Sequence, residues 1–426
     1  MPTRPFFGFA KPKLTYTLIQ ETEIPDIVDI PEPKRTILLL THEVEEKGEG
    51  LTIRPGQEVK TGQKITCGED SRSYLISPVT GSVSHISNYE GYLGRVYPAI
   101  SVEVQEDQWD EAFKEELVAS GPKCILNYLA LLPGVQDPAP VLDAQPPLHT
   151  LVVSGLDKDL LTTTNQLLVK THIEALKKGL SHLKGITRVE RILVVVPPTL
   201  AGLLEDTGVE IRTVTPYYPN AFPRIIMKDV LGITVPAGQP WEDFGVSFLN
   251  VEAVVSLSKA LDEQKLPVHK ILTVIGKDSS RTHAKVRIGT LVRDVLDALG
   301  LQVNDRDRVI LGGPMTGHTI HSLEETPVSR DTDALMVQDT NSIILSENTP
   351  CVNCGECVRV CPAKIPVNML IRYLENGLFQ EAVHDYDLLS CIECGLCSYV
   401  CIARIPLFHY IMFGKHEFIR MKDAEE

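Results

Sequence analysis

Ten cysteines occur in the chain, and eight of them fall in two runs of the same spacing. Cys351, Cys354, Cys357 and Cys361 form the first C-x2-C-x2-C-x3-C run; Cys391, Cys394, Cys397 and Cys401 form the second. Thiolates are soft donors that suit iron–sulfur clusters, and three cysteines at such short intervals wrap one cubane while the fourth points away. In two-cluster ferredoxins that fourth cysteine serves the other cluster. The spacing therefore predicts one 4Fe-4S cluster on Cys351, Cys354, Cys357 and Cys401, and a second on Cys391, Cys394, Cys397 and Cys361. Zinc is disfavoured, because its usual sites use paired C-x2-C arms rather than four closely spaced cysteines. Clusters of this kind relay single electrons.

The two halves repeat beyond their cysteines. "CPAKIPV" (361 to 367) matches "CIARIPL" (401 to 407) at most positions, as an internal duplication would produce. The stretch between Cys361 and Cys391 is longer than a minimal ferredoxin needs and reads as two short helices broken at Gly377. Residues 346–426 are thus expected to form a helical two-cluster ferredoxin-type domain.

The elements that carry this domain read as a multidomain α/β protein. Residues 1–105 contain short β-branched runs between glycine turns, with Gly56, Gly62 and Gly81 assigned to positive φ. "RPGQEVKTGQKI" and "SPVTGSV" resemble the barrel-sandwich hybrid fold of biotinyl and lipoyl carriers. No Met-Lys pair for modification occurs there, so this β domain reads as scaffold. Residues 106–147 are an acidic and Pro-rich connection. Residues 148–260 read as a Rossmann-like α/β domain: "LHTLVVSG" is a strand, a helix carries Val169, Ile173, Leu176, Leu180 and Leu183 and stops at Gly185, and "RILVVVPP" is the next strand. Residues 265–345 give two strands, a helix capped by Thr290 and stopped by Gly300, and a returning strand, as in a β-grasp (SLBB-like) module.

Composition narrows the partners. The net charge of −15 comes without a basic block, so nucleic acid is set aside as a partner. The apolar runs "TILLLT" and "ILVVVPP" are far too short to span a bilayer, and the N-terminus lacks a secretory apolar run. "VIGKDSS" lacks the first glycine of a phosphate loop, where Ile271 stands. "LGGPMTG" (311 to 317) is glycine-rich enough to let a backbone approach a ligand, and a tight interdomain turn is the plainer of the two readings. The isolated Cys67 and Cys124 read as small buried hydrophobes.

In this order the segments resemble the C subunit of the Rnf complex, the membrane-bound ferredoxin:NAD oxidoreductase that pumps sodium ions or protons. "FFGFAKPK" (6 to 13), the barrel-sandwich strings, "TLVVSG", "YPNAFPRIIMKDVLG", "SFLNVEAVVSLSKAL", "LGGPMTG" and "CIECGLCSYVC" carry the resemblance. It implies two 4Fe-4S clusters, membrane subunits of an Rnf-like complex as partners, and a place on the cytoplasmic face of the cell membrane. The chain departs where that family binds FMN and NADH. A run like G-L-G-G-A-G-F-P-T is replaced by "VASGPKCILNYLALLPG" (118 to 134), N-G-A-E-C-E-P by "VSGLDKDLL" (153 to 161), and Y-P-Q-G-G-E by Tyr218 to Pro223. Glycines lost at such positions remove both space and φ freedom near phosphates. The expectation is a peripheral relay subunit without its own FMN or NADH and without independent catalytic activity. Its redox partner would be a ferredoxin-type subunit, a cytochrome or a flavoprotein. The alternative is an iron–sulfur subunit of a soluble or otherwise anchored flavin-dependent oxidoreductase.

Overall fold

The structure, a computed structural model, describes residues 12–20, 22–40, 52–66, 74–135, 147–343 and 349–425. Cys67 and most of "FFGFAKPK" lie outside the described residues. The first β domain is an antiparallel sheet in the order Arg35–Leu39, Val96–Val104, Gly81–Glu90, Glu58–Val59, beside a two-stranded pair, Lys64–Thr66 and Tyr74–Ile76. Val59, Val83, Ile100 and Val102 close its core with almost no exposure. Gly56 and Gly62 both turn at φ +86, as their type predicts. Gly81 does not have positive φ. It is required instead by close approach, since a Cβ there would lie 2.0 Å from the Glu103 carbonyl oxygen on the neighbouring strand.

The α/β domain holds four parallel strands in the order Glu210–Thr213, Arg191–Val196, Thr150–Ser154, Val246–Asn250. The chain adds strands on one side of Thr150–Ser154 and then crosses to the other, so the order reverses between Thr150–Ser154 and Val246–Asn250. A crevice forms at the carboxyl ends of strands at such a reversal. The single helix expected before Gly185 is two, Thr164–Thr171 and Ile173–Ile186, broken at His172. Gly185 sits inside the second helix, and the stop moves to Thr187, whose amide and hydroxyl both donate to the Leu183 carbonyl. Leu176, Leu180 and Leu183 are fully buried at the predicted helical period.

A third sheet has six strands in the order Ile27–Asp29, Arg281–Arg287, His269–Ile275, Ala334–Gln338, Arg308–Leu311, His318–Thr319, with the helix Val292–Ala298 packed on it. The N-terminal strand Ile27–Asp29 thus joins a sheet far along the chain, in parallel with Arg281–Arg287. Gly300 follows the helix at φ +67, as predicted. Thr290 does not cap it: Leu291 holds that position, and the Thr290 hydroxyl donates to the Arg287 carbonyl, closing the turn after the preceding strand. This sheet is locked to the α/β domain by Lys270, whose ammonium is fully buried against Glu252 and 3.1 Å from Asp333. Removing one partner of such a group strands a buried charge, which is why the contact fixes the two units together.

The cysteine-bearing segment consists of two half-repeats, offset by forty residues. Short helices Glu356–Val360 and Leu396–Val400 correspond, as do Val367–Glu375 and the start of Leu407–Glu425. Left-handed residues recur at the same places: Asn353 with Glu393, Gly355 with Gly395, Lys364 with Arg404. Helix Phe379–His384 fills the interval after Gly377, which turns at φ +70.

The second half-repeat is packed against the rest of the protein more extensively than the first, which contributes Val360 to the same core. Cys394, Leu396 and Val400 share a core with Tyr218, Phe222 and Ile226 of the α/β domain. A Cβ on Gly395 would lie 2.4 Å from the Met315 carbonyl oxygen, whereas nothing stands within 4 Å of the corresponding point on Gly355. Both glycines have positive φ, so alanine costs about 1 kcal/mol of backbone strain at either. Gly395→Ala is expected to lower the thermal unfolding midpoint well beyond Gly355→Ala, because it also pushes the Met315 turn away. Equal shifts in the two variants, measured side by side, would show that the close contact contributes nothing.

Candidate iron–sulfur site

The structure brings the eight predicted cysteines into two groups, and the groups are crossed. Cys351, Cys354, Cys357 and Cys401 line one small cavity together with Ile371, Ile402 and Ile405. The thiols that act on Cys397 are Cys391, Cys394 and Cys361. Each fourth cysteine therefore lies with the other run's three. The cause is local: each short helix ends at the residue before its fourth cysteine, which turns to extended backbone, φ −60 at Cys361 and φ −64 at Cys401. That turn carries the thiol off its own loop.

The four-thiol pockets fit 4Fe-4S clusters. Among the described residues no three His, Cys, Asp or Glu side chains converge as ligands to a single metal ion. The left-handed residues point backbone amides inward, so that Glu393 N–H donates to Cys391 Sγ and Ile405 N–H to Cys401 Sγ, each at 3.4 Å. Hydrogen bonds of this kind to ligand sulfur are among the protein's means of tuning a cluster. Burial pushes the free thiols up, Cys357 to about 11 and Cys394 to about 12. Ligands must be thiolates, so loading these pockets expels protons.

The two pockets differ in depth. Cys351 and Cys354 are exposed, and the apolar side chains beside the outer pocket, Val352 and Ile402, are 62% and 58% exposed. The inner pocket faces the α/β domain, where the Tyr218 hydroxyl donates to the Cys394 carbonyl at 2.6 Å. Tyr16, Tyr218 and Phe222 continue from there with ring centroids 5.4 and 5.6 Å apart. Lys415 donates to the Cys391 carbonyl at 2.7 Å and to the Glu393 carboxylate at 2.7 Å.

A second feature lies at the sheet reversal. A cavity of about 280 Å³ is lined by Ser154, Leu156, Asn165, Ala221, Trp241 and Asn250, among others. A neighbouring cavity of about 210 Å³ shares Lys158 and Asp333 with it and is bordered by Asp157, Asp159, Asp331 and the 311–317 turn. Two backbone cradles of the kind that hold phosphate border this region, and each contains a carboxylate of the chain itself. Asp157 accepts from the amides of Asn165 and Gln166 in the first turn of the helix Thr164–Thr171 and from Gln166 Nε2. Its burial raises it to about 6 despite those donors. Asp159 accepts from the amides of Met315 and Thr316 and from the Thr316 hydroxyl, at 2.8 to 3.1 Å. Gly313 is needed here because a Cβ would sit 2.4 Å from Asp159 Cγ. "LGGPMTG" is the interdomain turn its composition predicts, and its glycines admit a carboxylate from another domain.

The segment 118–134 adds bulk beside this region. Ile125, Leu126, Tyr128, Leu129 and Leu132 are all buried in the α/β core. Cys124 is buried with them, as expected of an isolated cysteine. Sequence reasoning did not single out Asp157, Asp159 or Lys415. The forty-residue repeat could have pointed to Lys415, since its counterpart is Glu375.

Comparison with known proteins agrees with the motifs. A family model described as the 4Fe-4S dicluster domain matches residues 343–402, and the RnfC barrel sandwich hybrid domain matches residues 17–107. The C subunit of the ion-translocating oxidoreductase complex of Edwardsiella ictaluri (strain 93-146) is 27% identical over 367 residues, covering 81% of this chain and 45% of that protein. The protein of the same name from Yersinia pseudotuberculosis serotype O:3 (strain YPIII) is 26% identical over 381 residues, covering 84% and 54%. The chain thus spans about half the length of the curated relatives it matches. Among solved structures, an NAD+-reducing NiFe hydrogenase in the air-oxidized state aligns over 89% of this chain and 85% of its own, at 14% identity and a TM-score of 0.47. The barrel-sandwich match, together with relatedness to these two proteins over most of the chain, supports this chain as an RnfC-family protein.

Proposed function

We propose that this chain is a peripheral electron-transfer subunit of an Rnf-like, membrane-bound, ion-translocating oxidoreductase complex, holding two 4Fe-4S clusters and no FMN or NADH of its own. The observation that carries the reading is the crossed grouping of the eight cysteines around two pockets of unequal depth. When bound, the clusters supply one-electron transfer. The chain's own residues hold the inner pocket against the α/β domain and leave the outer one at the surface, within reach of a partner protein. The relatives' name, which makes each of them the C subunit of an ion-translocating oxidoreductase complex, supports membership of a complex. Among the described residues no helix is long and apolar enough to cross a membrane. Attachment to the cytoplasmic face of the cell membrane would therefore run through membrane subunits. A ferredoxin-type subunit, a cytochrome or a flavoprotein would exchange electrons with it, and the chain alone would not catalyse a reaction.

The absence of a flavin rests on Asp157 and Asp159. A phosphate dianion placed at either backbone cradle would displace a carboxylate already hydrogen-bonded there. The buried side chains of 125–132 replace the glycines through which that family's main chain approaches its cofactor.

Anaerobically purified protein is expected to carry about eight irons and eight acid-labile sulfides per chain. Cys357→Ser should damage the outer cluster first, and Cys361→Ser the inner one, despite the position of Cys361 in the first run. Stoichiometric zinc without iron would refute the cluster assignment. Denatured protein should release no flavin, and the chain should show no NADH:ferricyanide activity; flavin near one per chain would return the family's own cofactor to this site. Fractionation of native membranes with mild detergent should co-purify multi-span subunits with the protein. Recovery of the protein only with a soluble flavin-dependent dehydrogenase would establish the alternative membership instead.

A further inference from the structure

The two half-repeats have the same cysteine spacing and the same left-handed positions, yet the charge beside them differs. In the second half the Lys415 ammonium, 15% exposed, donates at 2.7 Å to the carbonyl of the ligand-position residue Cys391. Forty residues earlier the equivalent position is Glu375, which is exposed and can donate nothing to Cys351. Glu393 pairs with Lys415, and its counterpart in the first half is the uncharged Asn353. The Glu393 side chain is 43% exposed, so water screens its field more than that of the ammonium held inside. The inner pocket therefore has a largely buried ammonium at Lys415, where the corresponding position beside the first run is the exposed carboxylate Glu375.

We infer that Lys415 is a positioning residue for the redox balance of the protein: its ammonium raises the reduction potential of the inner cluster and offsets the lowering that burial imposes there. Reduction adds negative charge to a cluster, and a site poor in water stabilises that charge less than an exposed one. Left to burial alone, the inner cluster would be the harder of the two to reduce. A fixed cation at the backbone of one of its ligands opposes this. The contact also holds the loop at Cys391 to the final helix, through the paired hydrogen bonds to the Cys391 carbonyl and the Glu393 carboxylate. This inference rests on the assignment of Cys391, Cys394, Cys397 and Cys361 to one cluster.

The test is a redox titration of the full chain followed by electron paramagnetic resonance, with iron and sulfide determined on every sample. A Cys397→Ser variant assigns the two midpoints, since it removes the inner cluster's signal. Lys415→Met should lower the inner midpoint by the equivalent of about a tenfold change in the reduced-to-oxidised ratio, 59 mV for one electron, and leave the outer midpoint in place. Lys415→Arg, which keeps the charge, should stay near the parent value. Glu393→Gln should move the same midpoint upward. Unchanged midpoints in Lys415→Met, or equal shifts of both clusters, overturn the inference. Should Lys415→Met lose iron, Lys415→Gln, which keeps a hydrogen-bond donor and drops the charge, decides: a lowered inner midpoint alone supports the inference, and no shift refutes it. A parent protein without two clusters' worth of iron and sulfide is a different failure, that of the cluster assignment itself.

Discussion

One buried carboxylate ties three parts of this protein to one another. Asp159 leaves the α/β domain, accepts from the Met315 and Thr316 amides and the Thr316 hydroxyl, and so fixes the turn that belongs to the six-stranded sheet. The Met315 carbonyl, held by that turn, meets Gly395 on the cysteine loop. The next contact returns to the α/β domain through Tyr218, whose hydroxyl donates to the Cys394 carbonyl. The inner pocket is therefore positioned by two other domains at once. Charge-assisted hydrogen bonds from backbone amides are strong and directional, which suits a carboxylate to this duty better than apolar packing would. The same carboxylate takes up amides that could otherwise face a phosphate.

The duplicated segment shows how one local design acquires two environments. Its halves share cysteine spacing, short helices and left-handed turns, so the sequence programmes the same loop twice. Tertiary contacts then separate them. One loop is pressed against Tyr218 and Met315, and the other is left beside exposed Val352 and Ile402. Two pockets of like chemistry at unlike depths give a polarity to the molecule: one end of the pair looks inward to the crevice of the parallel sheet, and the other looks out.

What was legible in the sequence was what is local. The cysteine spacing, the parallel strands, the turns at Gly56 and Gly62 and the break at Gly377 follow from side-chain type and short-range period. Thr290 was misread because its hydroxyl had two local acceptors or donors to choose from, and the strand's turn took it. Gly81 was misread because close approach between strands, rather than φ, demands glycine there. The contacts of Asp159 with Thr316, of Lys270 with Glu252 and Asp333, and of Ile27–Asp29 with Arg281–Arg287 join residues far apart in the chain. No periodicity within a segment encodes such pairs. The replaced glycines of 118–134 signalled a change at the crevice, but the carboxylates in its backbone cradles became visible only with the fold.

The crossed fourth cysteines also bear on how the protein is made. The inner set of thiols is incomplete until Cys397 has been synthesised, and the outer set until Cys401, although Cys351 to Cys357 emerge much earlier. By then the β domain, the α/β domain and the six-stranded sheet are already outside the ribosome and can fold as units. Iron and sulfide thus meet a chain whose β domain, α/β domain and six-stranded sheet have already emerged, and both sets of thiols become complete within a few residues of each other. Maturation is a joint event, in which truncation anywhere before Cys401 denies the outer pocket its fourth thiol.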